Sequence, residues 1–125
     1  MNITYVFAGL KVANRDAAAA WYERLLGRPP TFLPNEVEAV WQVADTASVY
    51  LLAEAEQAGR GILTLVVDNL EASRAEIAGR GIETGAIEEI PGAGRKSVVS
   101  DPDGNTVSII EVYTDRRDTP SDSSR

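Results

Sequence analysis

The chain is poor in the residues that most often do chemistry. Its 125 residues include no histidine and no cysteine. The missing histidine removes the commonest metal ligand and the commonest general base. The missing cysteine removes thiolate metal sites and any disulfide framework. What is left is a few hydroxyls, carboxylates and cations. Arg95 follows Gly92-Ala93-Gly94, and a glycine loop with a cation can clamp an anionic or carbonyl group. A solvated arginine on a surface loop is the simpler reading. The same glycines neither follow a strand nor open a helix, so they are no dinucleotide fingerprint. Glu88-Glu89 precedes that loop; it can meet a cationic ligand, or it is a solvated acidic face.

These groups must be positioned by short strands and two helices. Asp101-Pro102-Asp103-Gly104 is a strong turn signal: Pro102 presets φ, Asp103 tolerates the next position and Gly104 can take φ > 0. Val98-Val99 enters the turn and Val107 to Ile110 leaves it, which reads as a β-hairpin. Upstream, the chain repeats itself. Leu10-Lys11-Val12-Ala13-Asn14-Arg15-Asp16-Ala17 resembles Leu65-Val66-Val67-Asp68-Asn69-Leu70-Glu71-Ala72, 55 residues on. Each copy reads as a strand, a cap and a helix, with Asn14 or Asp16 capping the first helix and Asp68 or Asn69 the second.

The first helix is expected over about 15–26, with Ala18, Trp21, Tyr22, Leu25 and Leu26 on one apolar face. The second is expected over about 70–80. Strand-like segments follow each helix: Phe32-Leu33, Glu38 to Ala44 and Ser48 to Ala53 in the first half; Glu83 to Ile90, Lys96 to Ser100 and Thr106 to Tyr113 in the second. The fold class is therefore α+β, built from two βαβββ units over 1–55 and 60–113. Gln57 to Gly61 links them, and 114–125 forms a flexible polar tail without an apolar residue. Two such twisted sheets, side by side or exchanged between subunits, curve into a cup with the helices on its outer face.

Net charge is −7, which argues against nucleic-acid or anionic-membrane partners and permits cationic ligands. No apolar run spans a bilayer. Met1-Asn2-Ile3-Thr4 lacks the blocks of a signal peptide, so a cytoplasmic protein is expected.

Four motifs in order carry a resemblance over residues 1–113. They are Leu10-Lys11-Val12 before a capped helix, Trp21-Tyr22-Glu23-Arg24-Leu25-Leu26-Gly27, Val67-Asp68-Asn69-Leu70-Glu71-Ala72, and Asp101-Pro102-Asp103-Gly104-Asn105. Together they resemble the vicinal oxygen chelate superfamily, which includes glyoxalase I, extradiol dioxygenases, and fosfomycin- and bleomycin-resistance proteins. The resemblance implies a cup in which metalloenzyme members place one metal ligand on each of four strands, usually His or Glu. Motif alignment puts those positions at Phe7, Leu51, Ile62 and Ser108. Three hydrocarbons and a hydroxyl cannot hold a divalent cation. Glu54 and Glu111 lie near strand ends but match no ligand position, and Glu111 alternates away from Ser108. No metal and no cofactor are therefore expected, and the metal-dependent activities of the family are put in doubt.

With Phe7 facing the cup, alternation brings in Tyr5 and Gly9, then Ile62, Thr64 and Val66, then Thr106, Ser108 and Ile110. Trp41 resembles an aromatic that lines the cup of metal-free members. The expected ligand-binding residues are Tyr5, Phe7, Trp41, Leu51, Ile62, Thr64 and Ser108, around a small aromatic ligand held by stacking; no catalytic residue is assigned. The resemblance points to a metal-independent binding protein like the bleomycin-resistance group, sequestering an aromatic compound. The alternative is a metal-independent isomerase or lyase, whose acid or base would come from Tyr5, Ser108, Arg95 or Glu89. A third possibility is a cup that dimerisation fills and that holds nothing. The resemblance also implies a homodimer.

Overall fold

In the computed structural model, which describes residues 1–113, two strand–helix–strand units lie one after the other. The tail expected over 114–125 lies outside the described residues. Strand β1 (Val6–Val12) leads into helix α1 (Arg15–Leu26), followed by β2 (Glu38–Ala44) and β3 (Ala47–Ala53). A short 3-10 turn, Ala55–Gln57, opens the link to the second unit. There β4 (Ile62–Val66) leads into helix α2 (Leu70–Gly79), followed by β5 (Glu88–Ile90), β6 (Gly94–Ser100) and β7 (Thr106–Val112).

The asparagines of the repeat set the helix starts. Asn14 Oδ1 accepts from the Ala17 amide at 2.8 Å and Asn69 Oδ1 from the Ala72 amide at 2.9 Å. Each satisfies an amide that has no partner within its helix. In both units the first strand runs parallel to the last one, β1 beside β3 and β4 beside β7. The strand orders are β1-β3-β2 and β4-β7-β6-β5.

Two expected strands are smaller than the pattern suggested. Phe32-Leu33 contributes only a single antiparallel bridge, Phe32 to Val40. Pro29, Pro30 and Pro34 crowd this segment, and proline has no N–H to give a ladder. The segment expected over 83–90 forms a strand only at Glu88–Ile90. Ahead of it the Gly85 amide bonds Val98 O at 3.0 Å without continuing as a ladder.

Both units feed one core. Leu10, Val12, Trp21, Tyr22, Leu25, Trp41, Val49 and Leu51 from the first pack with Leu63, Leu70, Ile77, Val99, Val107 and Ile109 from the second in a single buried cluster. α1 touches α2, and Arg80 of the second unit donates to the carbonyls of Arg24 and Leu25 at the end of α1.

The Asp101–Asn105 motif clasps the units together. Asp101 Oδ1 accepts the amides of Asp103 and Asn105, and its Oδ2 accepts Tyr22 Oη and Asn105 Nδ2, each at 2.8–2.9 Å. Asn105 Nδ2 also reaches Lys11 O, and its Oδ1 takes the Gly61 amide. Gly104 sits at φ 102°, which closes the turn with a backbone bond to Asp101 O. Asp101 and Asn105 are both buried, and their polar atoms are satisfied by these partners.

Candidate ligand-binding face

Each sheet packs one face on the core and leaves the other open, so side-chain alternation decides which residues can meet a ligand. On β1, Leu10 and Val12 are buried on the core side, whereas Phe7, Gly9 and Lys11 lie on the open side. Across the β1–β3 ladder Phe7 faces Ser48, Gly9 faces Tyr50 and Lys11 faces Leu52. Tyr5, just ahead of β1, hydrogen-bonds Ser48 Oγ through its hydroxyl at 2.6 Å.

The result is an aromatic shelf. The rings of Tyr5 and Phe7 are 4.9 Å apart between centroids, and those of Phe7 and Tyr50 6.5 Å apart in an edge-on arrangement. Both fall in the range of favourable aromatic pairs. Tyr50 lies flat across Gly9: a Cβ added there would fall 2.7 Å from the phenolic oxygen and would overlap the ring. The bare glycine is what lets the ring lie down.

On the second sheet the open face carries Ile62, Thr64 and Val66 from β4, with Thr106, Ser108 and Ile110 opposite them on β7. Val98 of β6 stands opposite Ser108. Phe7, Ile62 and Val66 are 58, 76 and 66% exposed, a large apolar exposure for a domain of this size.

Of the residues expected to line the cup, Tyr5 and Phe7 come together on the first sheet, and Ile62, Thr64 and Ser108 on the second. Trp41 and Leu51 are not on the open face. Both are fully buried in the core, where the Trp41 ring lies 6.3 Å from that of Tyr22. The Trp41 indole N–H donates to Arg28 O at 2.9 Å. The reason is period two. Trp41 pairs with Val49, and Ala39 with Leu51, all on the core side. Tyr50, which alternation from Leu51 excluded, is the residue that reaches the open face. The segment itself held the signal, because Ser48 and Tyr50 alternate with Val49 and Leu51 as polar against apolar.

The candidate acids and bases are largely engaged elsewhere. Arg95 is the second residue of β6 and not a loop cation. It pairs with Glu111 at 3.3 Å and with Glu71 at 3.7 Å. Glu111 Oε1 also accepts the Leu70 amide at 2.7 Å, at the start of α2. That amide bond first, and Arg95 second, hold the Glu111 carboxyl below its usual range. The bond to Glu111 in turn raises Arg95. Glu89 is hydrogen-bonded by the Tyr113 hydroxyl, which pushes that phenol up.

Of the positions that motif alignment matches to metal ligands, Phe7, Ile62 and Ser108 lie on the open faces and Leu51 in the core. One hydroxyl and three hydrocarbons do not fit a divalent cation. Among the described residues no group of three or more His, Cys, Asp or Glu gathers to hold one. No helix among them is long and apolar enough to cross a membrane.

The fold has known counterparts. A family model described as a glyoxalase-like domain matches residues 7–110. A glyoxalase/bleomycin resistance protein from Catenulispora acidiphila is 39% identical, with a TM-score of 0.81, covering 87% of this chain and 98% of that one. An antibiotic binding protein from a Streptomyces species shares 21% identity at a TM-score of 0.73, covering 90% of this chain and 99% of that one. A bleomycin-binding protein in complex with bleomycin shares 22% at 0.67, covering 85% and 96%. No curated protein matches the chain. The glyoxalase-like match over most of the chain and the 39% identical relative place it in one family: the chain belongs to the glyoxalase-like family, within the glyoxalase/bleomycin-resistance (vicinal oxygen chelate) superfamily.

Proposed function

We propose that the protein is a metal-independent binding protein that holds a flat aromatic compound against the open face of the first sheet. The observation that carries this reading is the Tyr5–Phe7–Tyr50 shelf, three aromatic rings side by side on a sheet face, with Phe7 largely exposed among the described residues. Aromatic rings at a concave, partly apolar face are a common means of holding a planar ligand. The relatives described as binding an antibiotic and bleomycin support the holding of a small molecule. A binding role is also favoured over an isomerase or lyase because Arg95 and Glu89 are tied into pairs away from this face. That leaves Tyr5, already bonded to Ser48, and Ser108 as acid–base candidates.

The exposed Phe7, Ile62 and Val66 support a homodimer in which a second copy covers the open faces and completes the cup. The test is calorimetric titration of the wild type and of Phe7→Ala with bleomycin and with a polycyclic aromatic antibiotic, alongside native mass spectrometry of the purified protein. The reading expects a dimer, binding of at least one aromatic compound, and its weakening in the variant. A stoichiometric divalent metal overturns metal independence, a monomer overturns the dimer, and failure of every aromatic compound to bind overturns the function.

A further inference from the structure

The aromatic shelf leads into a cationic cleft. Gly9, the residue under the Tyr50 ring, also lines an open cavity of about 320 Å³ together with Lys11, Gln57, Arg60 and Gly61. Lys11 extends from the open side of β1, two residues beyond Gly9. Arg60 lies in the link between the units, two residues before β4. The Tyr50 hydroxyl lies over Gly9, so the phenol edge marks the border between shelf and cleft.

The charges of this cleft run against the charge of the whole molecule, which is −7. Lys11 makes a 3.0 Å pair with Glu54 and donates to Gln57 Oε1 at 2.6 Å, but both partners in that ion pair are about two-fifths exposed. An exposed pair of this kind is weak and exchangeable. Arg60 makes no ion pair and no side-chain hydrogen bond among the described residues. The charged side chains that line the cleft are both cations, Lys11 and Arg60, and no carboxylate among the described residues lines it; Glu54 and Glu56 stand beside it at the 3-10 turn. At physiological salt, charges more than about 8 Å away are largely screened, so a ligand seated here responds to Lys11 and Arg60 more than to the distant acidic surface.

We infer that the ligand class is an aromatic anion, its rings on Tyr5, Phe7 and Tyr50 and its acidic group between Lys11 and Arg60. This rests on the proposed binding role of the shelf and reverses the cationic preference that net charge alone would suggest. A carboxylate, phenolate or sulfonate beside a ring system matches the layout. Arg60 supplies a planar fork for two oxygens, Lys11 a point charge, and the Gln57 amide a neutral donor.

The test uses three probes with one ring system and different charge: anthracene carboxylate, anthracene methanol and anthracene methylammonium, titrated by fluorescence into the wild type, Arg60→Gln and Lys11→Gln/Arg60→Gln. The expected result is that the carboxylate binds about tenfold tighter than the alcohol, as one charge-assisted contact supplies, and the ammonium binds most weakly. The advantage of the carboxylate shrinks in Arg60→Gln and vanishes in the double variant, while alcohol binding is unchanged. The double variant's unfolding curve checks that it is folded, which the exposure of both side chains favours. If all three probes bind equally, or the carboxylate preference survives in the double variant, the anion site is wrong and the aromatic shelf stands. If none of the three binds, the aromatic shelf fails and the anion site with it.

Discussion

The phenol of Tyr22 donates a 2.8 Å hydrogen bond to Oδ2 of Asp101, tying the first helix to the turn that joins the last two strands, 79 residues on. Burial first, then the Asp101 carboxylate, pushes the Tyr22 phenol far above its ordinary range. The phenol therefore keeps its proton, and its role as donor, well above neutral pH. Tyr22→Phe removes one of four donors on Asp101 and is expected to cost about 1–3 kcal/mol, the usual loss when a buried acceptor gives up a partner. Asp101→Ala strips four donors at once and is expected to cost more, about 3–5 kcal/mol, because buried polar groups of both units lose their acceptor. Urea denaturation midpoints of the two variants check both the sizes and their order.

Gly9→Ala separates the shelf from the fold. The three atoms nearest the new methyl all belong to the far end of the Tyr50 side chain, which can swing aside over an open face. Stability is expected to change by no more than about 1 kcal/mol, since the strain is relieved by a rotamer change and alanine suits a strand better than glycine. Aromatic binding is expected to fall severalfold because the displaced ring no longer completes the shelf. A double-mutant cycle with Tyr50→Ala is the check. Once the ring is gone, Gly9→Ala should have no further effect on binding, whereas additive losses would mean that Gly9 acts on the ligand by itself.

Much of the architecture was legible in the sequence because its signals are local. Asn14 and Asn69 cap where the repeat said a helix would start, and the Asp101–Gly104 turn joins two strands as its residue types require. The clasp role of the same motif was not legible. It depends on Tyr22, Lys11 and Gly61 arriving from distant parts of the chain, and no local pattern encodes that. The open face was half legible. Motif alignment, supported by the repeat offset, puts Phe7 and Ile62 in the cup, and both face outward. The same alignment puts Leu51 in the cup and the family resemblance puts Trp41 there, both against the alternation of their own strands. A one-residue slip in a strand moves every side chain to the other face, which is how Tyr50 was exchanged for Leu51.

Trp41 should therefore behave as a core residue. It is fully buried, and its indole N–H is bonded to Arg28 O. Trp41→Phe leaves a cavity and an unpaired carbonyl and is expected to cost about 2–4 kcal/mol, with little change in ligand affinity for the molecules that remain folded. In the wild type, acrylamide should quench tryptophan emission poorly, because Trp21 is nearly as buried. A ligand on the shelf should perturb tyrosine signals before tryptophan ones. Strong quenching of Trp41 by direct stacking of a ligand would show that the face opposite the shelf is the one that binds.

Glu111 gives the fold a defined response to acid. Its carboxyl is held below the usual range by the Leu70 amide first and Arg95 second. The folded state thus binds that proton less readily than the unfolded chain does. Its contribution is present above the unfolded carboxylate range, near pH 4.3, and is lost as pH falls through the lower folded value. Glu111→Gln keeps an oxygen for the Leu70 amide and removes the charge. Relative to the wild type, the variant should be destabilised at pH 6–7, and the gap should close progressively between about pH 5 and pH 3. Chemical denaturation at a series of pH values measures that gap. A difference that stays constant across the whole range would mean that the charge on Glu111 contributes nothing and that only its shape and hydrogen bond matter.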